Sequence, residues 1–179
     1  MISFLNFLKS LASLELGEAG PIGRANFQAI ATKAFFDIVN DMKKLIICGS
    51  ISAAGEILAT KTALEEKGFE VEIPEGVKHL DEWEGEHADV SEKAERKMKH
   101  DLIRGYYEKM KECDLVLIVN PEKKGIPGYI GGNTLIEMAF AHVLHKPLYV
   151  LHRLPEMPYT SEILAMRPIA LDGDIDKLG

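Results

Sequence analysis

A chain of 179 residues with 46% hydrophobic content has the length for one α/β domain plus a short appendage, and enough apolar side chain for a sizeable core. Its formal charge of −7 argues against the basic face that a DNA or RNA backbone requires, but not against a small anionic ligand held by backbone amides. Two widely separated cysteines, Cys48 and Cys113, without CxxC or Cys/His spacing, read as buried, reduced thiols of a cytoplasmic protein.

The opening segment, MISFLNFLKSLASLEL, carries apolar residues at 4, 5, 7, 8, 11 and 14, a rough helical stripe. Asn6, Lys9 and Ser10 interrupt it, which spoils a signal-peptide core. GEAGPIG breaks the chain, and a second helical pattern follows from Ala25 to Val39. Residues 1–41 are therefore expected to be a helical extension that packs on the domain, or else the native chain starts at Met42. A membrane-surface contact is disfavoured because the polar face holds little positive charge. No apolar run approaches the roughly 18 residues of a spanning helix.

From Met42 onward strands and helices alternate. KLIIC (44–48) is a continuous apolar run, the sign of a strand buried on both faces. A helix is expected from about Ser52 to Lys67, stopped by Gly68. FEVEI (69–73) alternates strictly, as an edge strand does. Residues 74–89 show no periodicity and read as a solvated acidic loop, in which Trp83 is a candidate lid. A single long helix is expected from Val90 to Glu112, with Ala94, Met98, Leu102, Tyr106 and Met110 at four-residue intervals. LVLIVN (115–120) is the most apolar run and the expected central strand. A helix within 129–144, a strand at 147–151, a short helix at SEILAM and a strand at 168–171 complete the chain. This order predicts an α/β domain over 42–179: a flavodoxin-like, doubly wound, five-stranded parallel sheet of order 2-1-3-4-5 with helices on both faces. Ligands in such sheets bind beyond the carboxyl ends of the strands, between strands one and three.

Two loops meet there. CGSISAAGE (48–56) feeds strand one into a helix, and Gly49, Ser50 and Ser52 are positioned to hold a phosphate at a helix N-terminus, unless Ser52 serves only as an N-cap. The loop matches neither the P-loop nor GxGxxG, which argues against dinucleotides. Asn120, ending strand three, cannot form the acyl phosphate of a receiver domain. The second loop leads into YIGGNTLIEMAF, where Thr134 and Glu137 have capping-box spacing. Against a mere cap stand the paired Gly131 and Gly132, which permit close backbone approach to a ligand, and the location at the crevice. A carboxylate held there by helix amides stays ionised, as a nucleophile should.

The CGSI loop, the run DLVLIVN, the glycine-preceded Glu137 with Ala141, and KPLYVL resemble the nucleoside 2-deoxyribosyltransferase and 2′-deoxynucleoside 5′-monophosphate N-glycosidase superfamily over roughly residues 42–172. The resemblance implies that Glu137 attacks the anomeric carbon of a (deoxy)nucleoside or its 5′-monophosphate and displaces the base. Water or a second base then resolves the glycosyl-enzyme. It also implies that Cys48, Gly49, Ser50, Ile51 and Ser52 contact phosphate or sugar. Asp101 stands as the candidate acid or positioning group, and Asn120, Tyr129, Gly131, Gly132 and Asn133 line the substrate side. Ile46, Gly131 and Leu164 occupy positions where the family carries polar residues, which points to a distinct subfamily. GGNTLIE is similar, one residue short, to the motif of cytokinin-activating phosphoribohydrolases, which cleave the same kind of bond in ribonucleotides.

Neither a metal nor an organic cofactor is expected, since the acidic stretch 79–89 matches no zinc or calcium spacing. Lys123 and Lys124 lie in the crevice loop, either attracting phosphate or forming a solvated turn. The family resemblance implies a homodimer or higher oligomer, with residues 153–163 reaching toward the partner. The expected partner is a small nucleoside or nucleotide, with no nucleic-acid polymer and no membrane. A non-catalytic nucleotide sensor using the same crevice is the rival reading.

Overall fold

The computed structural model describes residues 43–79, 89–99 and 101–178. The chain divides into two units, Met1–Met42 and Lys43–Gly179. The expected N-terminal helices, the Met42 start, the Trp83 lid and most of the acidic loop lie outside the described residues.

In chain order the second unit contains β1 (Lys44–Gly49), a 3-10 turn (Ile51–Ala53), α1 (Ala54–Glu66), β2 (Glu70–Glu72) and α2 (Glu75–Lys78). Next come α3 (Val90–Lys99), α4 (Leu102–Lys111), β3 (Leu115–Val119) and α5 (Gly132–Val143). The remainder is β4 (Leu148–Val150), α6 (Thr160–Ala165), β5 (Ile169–Ala170) and a second 3-10 turn (Ile175–Lys177). The five strands form one sheet, all parallel, in the order β2-β1-β3-β4-β5. The fold is flavodoxin-like α/β, with the chain order reversing between β1 and β3.

The continuous apolar runs are explained by the two faces of this sheet. Leu45 and Ile47 of β1 and Leu115, Leu117 and Val119 of β3 pack with Ile57 and Leu64 of α1. Ile46 and Cys48, with Val116 and Ile118, pack instead with Tyr106 and Met110 of α4 and Met138 and Ala141 of α5. Successive strand residues point to opposite faces, so a strand covered on both sides has no polar position to spare. Edge strand β2 keeps its alternation, with Val71 buried and Glu70 exposed.

Three local expectations change. The stretch 74–89 includes the short helix α2, whose Val77 is buried among the α1-side residues. The single helix from Val90 to Glu112 is two, α3 and α4, broken at Asp101, which has left-handed backbone (φ 44, ψ 42). Residues four apart on a 3.6-residue helix drift by about 40° per step, so the apolar series cannot keep facing one core. Tyr106 and Met110 are accordingly buried, while Met98 is 71% exposed. Finally, α5 begins earlier than its capping signal. Its N-cap is Gly131, so Thr134 lies within the first turn and is buried rather than capping.

Helix α5 is held by Thr134, Met138 and Ala141, a buried stripe at i, i+4 and i+7. The Tyr107 ring of α4 meets Phe140 edge-on, with centroids 5.1 Å apart. These contacts fix the helix that carries Glu137.

Candidate functional site

Glu137 occupies the sixth position of α5, beyond the first turn, and no acidic residue lies in that turn. It therefore caps nothing. The carboxyl sits against the buried stripe, and its Oε2 is shut off from solvent and has no hydrogen-bond partner among the described residues. Burial pushes its pKa up to about 8; the Cys48 thiol and the Lys97 charge pull the other way without cancelling it. The expectation of a carboxylate kept ionised by helix amides is thus corrected. The first-turn amides lie below Glu137, and desolvation dominates.

Behind Glu137 lies a buried polar pair. Cys48, at the end of β1, is fully buried, and burial followed by the Glu137 charge raises its thiol well above the ordinary range. Tyr106 donates its hydroxyl hydrogen to the Ile47 carbonyl and lies beside the same thiol; burial raises its pKa as well. The buried thiol is a neutral neighbour of Glu137. Sequence periodicity read Tyr106 as core and missed its hydroxyl's place beside the site.

Gly49 lets β1 approach β3. A Cβ here would stand 2.9 Å from the Val119 carbonyl oxygen and 3.1 Å from Ile57 Cδ1. Ser50 caps the 3-10 turn, and Ala53, not Ser52, holds the N-cap position of α1. Ser52 is released from capping, and its hydroxyl lies 2.9 Å from that of Ser50. Lys123 reaches across from the β3 loop to donate to Ser52 Oγ at 2.7 Å, with Ser50 Oγ at 3.5 Å. An ammonium and two hydroxyls thereby gather at the carboxyl ends of β1 and β3. Ile51 beside them is 40% exposed.

Asn120 is 1% exposed, and its amide is committed to the protein. Nδ2 donates to the Gly128 and Arg153 carbonyls at 3.1 Å each, and Oδ1 accepts from the His152 amide at 3.0 Å. It ties the β3 and β4 loops together. Gly128, at φ +70 and tight against the Arg153 carbonyl, admits no side chain. Tyr129 is half-buried near Gly131, and open space surrounds Gly132. Asn133 accepts at Oδ1 from Lys97 Nζ, 2.8 Å away. Asp101 stands apart from this group. It is exposed and paired with Arg104 Nε at 3.0 Å, and among the described residues the groups acting on Glu137 are Cys48 and Lys97.

Sequence reading also missed His152 and Glu56, whose Nε2 and Oε1 lie 2.6 Å apart and link β4 to the first turn of α1. Among the described residues, no group of three or more His, Cys, Asp or Glu is placed to hold a metal, and no helix is long and apolar enough to cross a membrane. Comparison of the chain with protein-family models, curated proteins and solved structures finds no match.

Proposed function

We propose that this chain cleaves or transfers the N-glycosidic bond of a (deoxy)nucleoside or its 5′-monophosphate, with Glu137 as the nucleophile. The observation that carries the reading is Glu137 Oε2: a buried carboxyl oxygen without a hydrogen-bond partner among the described residues, on a helix it does not cap, at the ligand end of a doubly wound sheet. A buried unsatisfied carboxyl costs stability, and folds keep such groups where they react or bind. Ionised Glu137 attacks the anomeric carbon while the glycosidic electron pair leaves with the base, which takes a proton from solvent. Water or a second base then attacks the glycosyl ester and returns the carboxylate. A 2-deoxy sugar eases both steps, because no 2′-hydroxyl withdraws electrons from the cationic transition state.

Lys123, Ser50 and Ser52 supply a cation and two hydroxyl donors for a 5′-phosphate. The carboxyl is largely protonated at neutral pH without ligand, so turnover should climb as pH approaches about 8. We place the reaction in the cytoplasm, on free nucleosides or nucleotides, in a homo-oligomer, as the superfamily resemblance implies.

The neutral carboxyl also favours a second reading, a nucleotide sensor in which protonated Glu137 only donates a hydrogen bond. Base release from deoxynucleosides and deoxynucleotides, followed by chromatography beside Glu137→Gln, separates the two. Release by wild type and none by the variant supports the glycosidase. Equal ligand binding by both proteins with no release in either supports the sensor.

A further inference from the structure

Asn133 and Glu137 are four residues apart on α5, hence on one face and one turn from each other, about 6 Å along the axis. The ammonium of Lys97, from α3, is held on Asn133 Oδ1 at 2.8 Å. A cation is therefore held one turn from the buried Oε2 of Glu137, which has no hydrogen-bond partner among the described residues. We propose that Lys97 is the counter-ion of Glu137, and that Asn133 sets how closely it approaches.

The groups around the carboxyl leave that role to Lys97. From β1 comes the Cys48 thiol, and from α4 the Tyr106 hydroxyl lies beside that thiol; neither carries positive charge. Among the described residues Lys97 is the cation acting on Glu137. Its four-carbon stem and three donors allow it to exchange one oxygen acceptor for another within reach. Bonded to Asn133, it leaves Oε2 without a partner among the described residues. Moved one turn along α5, it forms a charge-assisted hydrogen bond there, and the carboxyl proton passes to solvent. A ligand group that takes Asn133 Oδ1 displaces the ammonium toward Glu137, so occupancy of the crevice favours ionisation of the nucleophile. Lys97 is thus a positioning residue for the carboxylate, on the segment for which the sequence offered Asp101 and not Lys97.

This inference rests on Glu137 as the reacting group, and its test reads ionisation without turnover. The carboxyl stretch of Glu137, assigned by its loss in Glu137→Gln, is titrated by difference infrared spectroscopy. In Lys97→Met the midpoint should rise by about one pH unit, which is about a tenfold change in ionised fraction at neutral pH. In Asn133→Ala it should fall, because the ammonium is freed to pair with Oε2. Lys97→Arg should stay near wild type. Lys97 and Asn133 are not fully buried, and circular dichroism of each variant checks that it is folded. Midpoints that stay in place, or move the same way in Lys97→Met and Asn133→Ala, overturn the inference even if base release is observed. Opposite shifts without base release uphold it and count against the glycosidase alone.

Discussion

Replacing Glu137 with glutamine should stabilise the protein, and by an amount that grows with pH. The side chain keeps its shape but no longer titrates. In the folded protein burial raises the carboxyl from 4.5 to about 8. Below 4.5 folded and unfolded chains both hold the proton, and the residue costs nothing on this account. As pH rises the unfolded chain releases its proton first while the native state retains it, so unfolding becomes more favourable. The penalty is complete above about 8. At about 1.4 kcal/mol per pH unit the whole interval amounts to about 5 kcal/mol. Between about pH 5 and pH 8 the share is about 4 kcal/mol, which water entry around the charged carboxylate reduces to about 2–4 kcal/mol. Urea unfolding of wild type and Glu137→Gln at fixed ionic strength, stepped across that range, measures the widening gap directly. Curves that remain parallel from pH 5 to pH 8 would refute the claim that burial of the Glu137 carboxyl outweighs the Cys48 and Lys97 contributions.

Other consequences follow from single contacts. Gly49→Ala puts a methyl 2.9 Å from the Val119 carbonyl oxygen and should destabilise by about 1–3 kcal/mol in urea unfolding. Asn120→Ala strands the Gly128 and Arg153 carbonyls and the His152 amide, a cost of about 2–4 kcal/mol with faster hydrogen exchange at His152. The ammonium of Lys109 holds Glu75 below the usual carboxylate range. Its stabilisation is present above 4.5 and lost as pH falls through the depressed value. The pair is about a third exposed, so Lys109→Met should cost under about 1 kcal/mol near pH 7, less at high salt, and nothing in strong acid. If Lys123 meets a 5′-phosphate, Lys123→Met should raise KM for nucleotides about tenfold and leave nucleosides unchanged in steady-state assays.

The sheet was legible because its evidence is local. Leu45 to Cys48 and Leu115 to Val119 are apolar throughout, as strands sandwiched between helix layers must be, and Glu70–Glu72 alternates as an edge does. Strand order followed from connectivity and from the one alternating strand. Helix boundaries read less well, because packing overrode the local signal. Gly131 and Gly132 mark a loop by propensity, yet burial of Thr134 and Met138 draws Gly132 into the helix and leaves the capping box unused. That shift of one turn changed Glu137 from a candidate cap into a carboxyl whose Oε2 has no partner among the described residues. Contacts such as Lys97 with Asn133, Lys123 with Ser52, and His152 with Glu56 join residues 36, 71 and 96 positions apart. No spacing pattern in the chain encodes them. Asn120 was placed correctly at the end of β3, but its bonds to Gly128, His152 and Arg153, which fasten two loops, have no signal in the sequence.

The central claim is that Glu137 attacks a nucleoside carbon, and a trapped intermediate tests it most directly. Wild type would be incubated with deoxynucleosides, deoxynucleotides and their ribose counterparts near pH 8, quenched in acid, digested and analysed by mass spectrometry, with free base followed by chromatography. A pentosyl or phosphopentosyl adduct on the peptide containing Glu137, together with base release that Glu137→Gln abolishes, is the expected result. Base release undiminished in Glu137→Gln, or no release by wild type from any substrate, would contradict it.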